Sequence, residues 1–366
     1  MTKSFLTSVA ALTVAAPALA QAPSVAVDIA PVHSLVAQVM QGVGEPSLIV
    51  EPGANPHGYS MRPSQARALQ KSDLVFWMGS RMSPWLEKPV DTLAAEAKAL
   101  ELLEVPGLQL LEFREEFHGD HDDHAGHDDH AGHDDHAGHD DHADHDDHAD
   151  HDDHASHDDH AGHDDHAGHD DHDDHADHDD HDDHADHDDH HDHDHSGTDP
   201  HAWLSPANAQ LWLGVIAEEL AAIDPAHADQ YRANAKAGQA RIAEVSATLQ
   251  QQLQPMQGVP FVAFHDAYQY FETSFGLSLA GTVSLGDASD PSPAQLNTLR
   301  ETLIDMQITC AFSEPQYNSK LLQSAADGID LQIHELDPLG FRQEPGPDLY
   351  PQTLLALGNN MLKCVE

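Results

Sequence analysis

Short apolar runs alternate with amphipathic segments along most of the chain. The apolar runs have the length of buried strands and are VAVDI near Val25, SLIVE near Leu48, LVFWM near Leu74, FVAFH from Phe261, LSLAGTV from Leu277, TCAFSE around Cys310 and LQIHEL from Leu331. Helical spacing marks the segments HSLVAQVM, SQARALQKS, PAQLNTLRETLIDM, KLLQSAADG and DLYPQTLLALGNNML. Buried strands that alternate with helices form mostly parallel sheets with crossover helices. The pattern therefore predicts an α/β protein.

One segment breaks this alternation and predicts a connector. The segment PAHADQYRANAKAGQARIAEVSATLQQQLQ begins at Pro225 and has no interior proline, and Asp224 with Pro225 gives a helix start signal. A helix of about 30 residues would be about 45 Å long. We expect residues 224–257 to join two lobes with mostly parallel sheets, an N-lobe over 21–223 and a C-lobe over 258–366.

The N-terminal segment has the features of an export signal. A basic Lys3 precedes an apolar stretch that is too short to span a bilayer, and the stretch ends in the small-residue motif Ala18-Leu19-Ala20. We predict a secretory signal peptide over residues 1–20, with cleavage after Ala20. A buried N-terminal helix is the alternative, but Pro17 and the small residues favour cleavage. The expected compartment is a bacterial periplasm.

The cysteine count fits that compartment. The chain has 2 cysteines, Cys310 and Cys364, and in an exported protein such a pair is typical of one disulfide. A thiol metal site is the alternative, although both cysteines lie far in sequence from the histidine motifs described below.

Charge is concentrated in one segment. The chain has 15 basic and 65 acidic residues and a net charge of −50, so no cationic surface for a nucleic acid is expected. Residues 118–195 contain 33 Asp and 28 His and otherwise only Ala, Gly and Ser. Such a segment cannot bury enough apolar surface to offset the entropy of ordering. We expect a disordered insertion within the N-lobe and a mildly acidic, ordinary protein around it.

Outside the insertion the chain has six histidines, and three of them have loop or strand-end contexts. His57 lies in EPGANPHGY after a strand, His201 lies in DPHAWLSP, and His265 ends the run FVAFH. Ligands bind at the carboxyl ends of strands in open parallel sheets. Three imidazoles that converge there would suit zinc, which prefers nitrogen ligands in tetrahedral geometry.

The other three histidines have structural interpretations. His33 begins a helical segment, His334 lies in a strand pattern, and His227 is expected to be solvated at the start of the connector. Each histidine taken alone is more typical of a surface or core residue than of a ligand. The joint pattern of His57, His201 and His265 favours a metal site.

Five ordered motifs carry a family resemblance. The words PGANPHGYSMRPSQARALQKSDLVFWMG, DPHAWLSPANA, FVAFHDAYQYFETSFGL, CAFSEPQ and LDPLG are similar to those of the high-affinity zinc-uptake substrate-binding proteins of ABC transporters. The resemblance implies two α/β lobes bridged by a long helix, a disulfide between Cys310 and Cys364, and a His/acid-rich loop before the second ligand motif. It implies zinc capture in the periplasm and delivery to an ABC permease, by a protein expected to be a monomer.

The resemblance also implies a ligand set. The family's ligands correspond to His57, His201 and His265. Some zinc members carry a Glu directly before the first ligand, where this chain has Pro56, so the fourth ligand would be water or Asp337. Manganese members place an acid at the position of His265, which therefore favours zinc. A manganese-type or broader divalent-metal protein of the same family stays an alternative.

Two further questions stay open at this stage. The insertion repeats His-Asp-Asp-His-Ala-Gly and is longer than the family leads us to expect, so it is interpreted either as an auxiliary zinc reservoir or as a solvated spacer.

Three histidines with an open fourth position also match a catalytic zinc hydrolase, and a sequestration or adhesion protein is a third possibility. No motif for a general base lies beside the ligands, so we expect a protein that is not an enzyme.

Overall fold

The computed structural model describes residues 22–114, 197–284 and 291–366. The predicted signal peptide and the predicted insertion at 118–195 lie outside the described residues.

Two four-stranded parallel sheets organise the described residues. The N-lobe sheet has the order β2-β1-β3-β4 and the C-lobe sheet the order β6-β5-β7-β8, and every strand pair in them is parallel. In chain order the first half comprises β1 (Val25–Val27), α1 (Ala30–Val39), β2 (Ser47–Leu48), α2 (Pro63–Gln70), β3 (Leu74–Trp77), α3 (Pro84–Leu93), β4 (Lys98–Glu101) and α4 (Pro206–Ile223). The second half comprises α5 (Ala228–Gln252), β5 (Phe261–Ala263), α6 (Gln269–Phe275), β6 (Leu279–Thr282), α7 (Pro293–Asp305), β7 (Cys310–Ser313), α8 (Ser319–Ala325), β8 (Gln332–Glu335) and α9 (Leu349–Leu362). The predicted fold class is confirmed.

The central strands follow from the apolar runs. All residues of β1, β3 and β5 are buried, as expected for strands covered by helices on both faces. Strand β4 has the sequence KALE, and its residues are exposed or half-buried at the sheet edge. Because this strand has no apolar run, the sequence pattern did not predict it.

The long helix is shorter than the pattern predicts. Helix α5 covers 25 residues, and a 3₁₀ turn flanks it on each side, at Pro225–His227 and at Gln254–Met256. Pro255 explains the early end, because its ring has no N–H to donate and clashes with a carbonyl one turn earlier in a continuing helix.

Helix α5 is fixed to both lobes. Asn234 Nδ2 donates hydrogen bonds to the carbonyls of Val39 and Gln41, both at 2.9 Å and both at the end of α1. Further along the helix, Arg241 forms an ion pair with Asp348, the residue before α9.

One apolar core crosses between the lobes. Phe76 and Leu35 from the N-lobe belong to the same buried cluster as Phe312 from the C-lobe. A direct hydrogen bond of 3.0 Å also joins the Tyr350 N–H of α9 to Ser34 Oγ of α1. The two lobes therefore contact each other directly and are not joined by helix α5 alone.

A disulfide joins Cys310 at the start of β7 to Cys364 near the end of the chain, as predicted. Among the described residues, none of the helices combines the length and the apolar character that crossing a membrane requires.

Candidate metal centre

His57 lies on the long loop between β2 and α2 and is half-buried. A residue of α3 fixes this loop: Trp85 Nε1 donates a hydrogen bond of 2.7 Å to the carbonyl of Pro56. Asn55 Oδ1 accepts a hydrogen bond of 3.0 Å from the His57 N–H, a local turn typical of asparagine. These contacts fix the backbone on both sides of the imidazole.

His201 lies directly before a 3₁₀ turn that leads into α4, and it is 1% exposed. Asp199, also 1% exposed, binds it twice: Oδ1 lies 2.8 Å from His201 Nδ1 and 2.9 Å from the backbone nitrogen. Sequence reasoning missed Asp199, although its spacing in TDPHAW was a visible signal. A carboxylate on Nδ1 selects the tautomer that leaves the Nε2 lone pair for a metal.

His265 follows the carboxyl end of β5 and is 3% exposed. Its Nδ1 lies 2.6 Å from Glu314 Oε1, and Glu314 follows the carboxyl end of the adjacent strand β7. His265 thus lies just after a strand end, as the sequence predicts. Gln316 Nε2 donates a hydrogen bond of 2.9 Å to the second oxygen of Glu314, which holds the carboxylate in place.

The three histidines meet. His57, His201 and His265 each offer a ligand atom, and these atoms all lie within 4.8 Å of one another. The ring centroids are 5.4 Å apart for His57 and His201, 5.3 Å for His201 and His265, and 6.3 Å for His57 and His265. Nitrogen ligands at about 2.1 Å from a tetrahedral ion lie about 3.4 Å from one another, so small side-chain shifts suffice to bind one ion.

Asp337 does not belong to this group of ligand atoms. It is 8% exposed, and its Oδ2 accepts a hydrogen bond of 2.8 Å from the Arg342 N–H. Its Oδ1 is buried and has no hydrogen-bond partner among the described residues. Trp203 Nε1 donates a hydrogen bond of 2.9 Å to the carbonyl of Pro338, so the turn after Asp337 contacts the turn after His201.

The remaining candidates have other partners. Asp266, which directly follows His265, binds Arg114, with Arg114 Nε 3.0 Å from Asp266 Oδ2. Burial raises the pKa of Asp266 to about 6, against the lowering effect of Arg114. His227 Nδ1 lies 2.6 Å from Asp224 Oδ2.

His33 Nε2 lies 3.1 Å from the carbonyl of Pro46, and burial lowers the pKa of this histidine. His334 lies in β8, as the strand pattern predicted. Neither residue belongs to the three-histidine group.

Aromatic residues lie beside His265. The rings of Tyr317 and Tyr268 lie 5.2 Å and 6.5 Å from that of His265. Burial, together with the nearby carboxylates of Glu314 and Asp337, raises the pKa of Tyr268 well above its usual value. The hydroxyl of Tyr268 therefore stays protonated, and the pair of His265 and Glu314 lies in a largely dry environment.

Known proteins resemble the chain over nearly its whole length. The profile of the family described as zinc-uptake complex component A, periplasmic, matches residues 25–364. The chain is 42% identical to the high-affinity zinc uptake system protein ZnuA of Paracoccus denitrificans, over 96% of this chain and 95% of that protein. It is 39% identical to the protein of the same name from Brucella suis, over 93% and 91%.

Solved structures share the fold. A crystal structure of ZnuA superposes with a TM-score of 0.65 at 21% identity and covers 94% of this chain and 100% of that one. A mutant of the laminin-binding adhesin Lmb from Streptococcus agalactiae gives a TM-score of 0.63 at 18% identity, over 94% and 100%.

Proposed function

Since this chain belongs to the family of periplasmic zinc-uptake component A proteins, we propose that it captures Zn²⁺ between its lobes for a high-affinity uptake system. The observation that carries the proposal is the group of three histidines. Two of them, His201 and His265, are buried, and the Nδ1 atom of each is hydrogen-bonded to a carboxylate. Neutral imidazoles in that tautomer are zinc ligands, whereas a hard ion such as manganese favours oxygen.

We assign the metal ligands as His57, His201 and His265. Asp337 or water is the fourth ligand. The buried Asp337 Oδ1 supports the first alternative, since it has no hydrogen-bond partner among the described residues. A His₃ set with an oxygen ligand is a common zinc environment. Of the metals that the family could carry, this ligand set favours zinc over manganese.

Metal content tests the assignment. The mature chain without residues 118–195 is expected to hold one tightly bound zinc after dialysis, and the same chain with His201→Ala is expected to hold none. His227→Ala is the matched control, because His227 pairs with Asp224 away from the group. Retention of stoichiometric zinc by the His201→Ala chain would overturn the assignment.

The chain delivers its metal rather than using it in catalysis. Membership of a family of periplasmic zinc-uptake proteins supports a role without catalysis. Steady-state assays of ester and peptide hydrolysis with the zinc-loaded protein are expected to give no turnover above free zinc. Loss of growth in low zinc when the cognate ABC permease is deleted would separate uptake from sequestration or adhesion.

Export and organisation complete the proposal. The chain acts in the periplasm as a monomer after cleavage behind Ala20, and residues 224–257 connect an N-lobe over 21–223 to a C-lobe over 258–366. Mass spectrometry of the periplasmic protein, with Gln21 as the expected N-terminus, tests the cleavage. Light scattering tests the monomer.

The insertion serves as an auxiliary zinc reservoir. A histidine at roughly every third position gives the segment many weak sites for metal ions, and protonation of imidazole near pH 6.5 would release them. Deletion of residues 118–195 is expected to slow growth under zinc starvation and to lower the zinc bound per chain at neutral pH. Unchanged growth and unchanged bound zinc would leave a spacer role.

A further inference from the structure

Two short segments pair in antiparallel fashion next to the second histidine of the metal centre. The Phe113 N–H donates a hydrogen bond of 2.8 Å to the carbonyl of Gly197, and the Asp199 N–H donates one of 2.8 Å to the carbonyl of Leu111. Glu112 and Thr198 form an antiparallel bridge between them. We call residues 111–114 and 197–199 the stem. It ends at Asp199, which binds His201.

Two side chains at the start of α6 bind the stem to the C-lobe. The Tyr270 hydroxyl accepts a hydrogen bond of 3.0 Å from the Leu111 N–H and donates one of 2.9 Å to the carbonyl of Asp199. Gln269 Nε2 donates to the carbonyl of Glu112 at 2.8 Å and to Asp199 Oδ2 at 3.3 Å. The carboxylate that orients His201 is therefore itself held from the other lobe.

Arg114, at the end of the first strand of the stem, binds two acidic residues of the C-lobe, Asp266 and Glu272. Its guanidinium binds Asp266 through Nε at 3.0 Å and Glu272 through Nη1 at 3.1 Å, and its Nη2 also contacts both carboxylates. The side chains are 21% exposed for Arg114 and Asp266 and 6% for Glu272. Glu272 in turn accepts a hydrogen bond of 2.8 Å from the Leu279 N–H at the start of β6.

This arrangement connects two buried ligands of different lobes. Asp266 directly follows His265 in the chain, and Asp199 lies two residues before His201. A planar guanidinium that binds two carboxylates fixes direction as well as distance, which an ammonium group does not. Partners outside the ligand shell commonly set metal affinity through the orientation of the ligands.

We propose that Arg114 is a positioning residue that, through the stem, holds His201 and His265 in register across the two lobes for one metal ion. The proposal rests on the metal centre proposed above. The guanidinium acts on the ligands in two ways. It fixes the backbone at Asp266, which directly follows His265. It also keeps the stem packed against α6, in the position from which Asp199 binds His201.

An alternative role for Arg114 is charge balance. Without a cation, Asp266 and Glu272 would leave two negative charges near the ion, which would attract it more strongly. The two roles predict opposite results. Loss of a positioning residue weakens zinc binding whatever the charge, whereas loss of a balancing cation strengthens it.

Four variants of the full mature chain separate these roles: Arg114→Gln, Arg114→Lys, Gln269→Leu and the control Arg232→Gln. The control removes an exposed guanidinium that binds Glu218 at 2.8 Å and 2.7 Å, far in sequence from the stem. Gln269→Leu loosens the stem without a change of charge, and it decides the proposal if the Arg114 variants do not fold. Less than one equivalent of metal is added, so that the tightest site fills first.

We expect both Arg114 variants to bind zinc about 10-fold or more weakly in competition with a chelator. We expect Gln269→Leu to bind it several-fold more weakly and Arg232→Gln to bind it like the wild type. The visible spectrum of bound Co²⁺, which reports ligand geometry and not stability, is expected to shift in the first three variants.

Wild-type affinity and an unshifted Co²⁺ spectrum in Arg114→Lys or Gln269→Leu would overturn the proposal, as would tighter zinc binding by Arg114→Gln. His201→Ala, measured in parallel, tests the metal centre itself. If that variant keeps the tight zinc, the proposed function fails. If it loses the zinc while the Arg114 variants bind normally, only the positioning role fails.

Discussion

Glu314 Oε1 lies 2.6 Å from His265 Nδ1, although 49 positions separate the two residues in the chain. The contact arises because β5 and β7 are parallel neighbours, so the residues that follow them leave the sheet at the same edge. A carboxylate that accepts a hydrogen bond from Nδ1–H raises the electron density at Nε2, and so strengthens Nε2 as a metal ligand.

Glu314→Gln is expected to weaken zinc binding about 10-fold to 100-fold, because an amide oxygen keeps the hydrogen bond but lacks the charge. Competition with a fluorescent zinc chelator measures this change. The exposed Glu218→Gln serves as control and should bind like the wild type. Equal affinities for Glu314→Gln and the wild type would show that the carboxylate charge contributes nothing.

Asp28 gives a prediction about pH and stability. It is fully buried, and its oxygens accept hydrogen bonds of 2.7 Å from the N–H groups of Ile29 and Met78, yet burial raises its pKa to about 7. Between about pH 4 and 7 the folded protein therefore holds a proton that the unfolded chain releases, so this group lowers stability as the pH rises.

The Asp28→Asn variant lacks this titration. Its free energy of unfolding relative to the wild type is expected to rise by up to about 4 kcal/mol from pH 4 to pH 8, since a shift of one pKa unit corresponds to about 1.4 kcal/mol. Urea unfolding of the metal-free proteins at several pH values measures the difference, in which the other titrating groups cancel. A flat difference for Asp28→Asn across this pH range would contradict the prediction.

Two helical glycines should respond to alanine with opposite signs. A Cβ at Gly358 in α9 would clash with Cδ2 of the buried Leu249 in α5, whereas a Cβ at Gly214 in α4 would meet only Gln239 at 3.5 Å. Gly358→Ala is expected to cost about 1–3 kcal/mol through overpacking. Gly214→Ala is expected to gain up to about 1 kcal/mol from helix propensity. Chemical denaturation of both variants measures the signs, and a stabilising Gly358→Ala would contradict close packing of α5 on α9.

The disulfide should stabilise the fold without affecting zinc binding. Cys310 and Cys364 are 54 residues apart, and closing a loop of this length contributes about 4 kcal/mol in the chain-entropy model. Cys310 begins β7 while Glu314 follows its end, so the bond lies at the strand end away from the ligands. The double Cys→Ala variant is expected to unfold at lower denaturant and to keep its zinc affinity. Weaker zinc binding by the folded variant would contradict this separation.

Zinc release should leave the lobes close to their present arrangement. Helix α5 binds both lobes, and a single apolar core continues from Phe76 to Phe312. A large hinge opening would expose part of this core to water at about 25 cal/mol per Å². X-ray scattering of the chain without residues 118–195 is expected to show nearly the same radius of gyration with and without zinc. A change of several ångströms would contradict the prediction.

The sequence by itself determined the fold class, and its motifs pointed to the three histidines that the fold brings together. Apolar runs such as LVFWM encode buried strands, and helical spacing encodes the helices that cover them, because both depend on residues near in the chain. The motifs around His57, His201 and His265 carried the family resemblance. The sequence also indicated that the two cysteines form a disulfide.

Only the tertiary structure decided which groups support the histidines. Glu314 and Asp199 bind the Nδ1 atoms of His265 and His201, whereas Asp266, the neighbour of His265 in the chain, binds Arg114. The choice depends on which strand ends lie side by side and on how the stem packs on α6. These contacts join residues that are 49 or 152 positions apart, and no local pattern in the chain encodes such a separation.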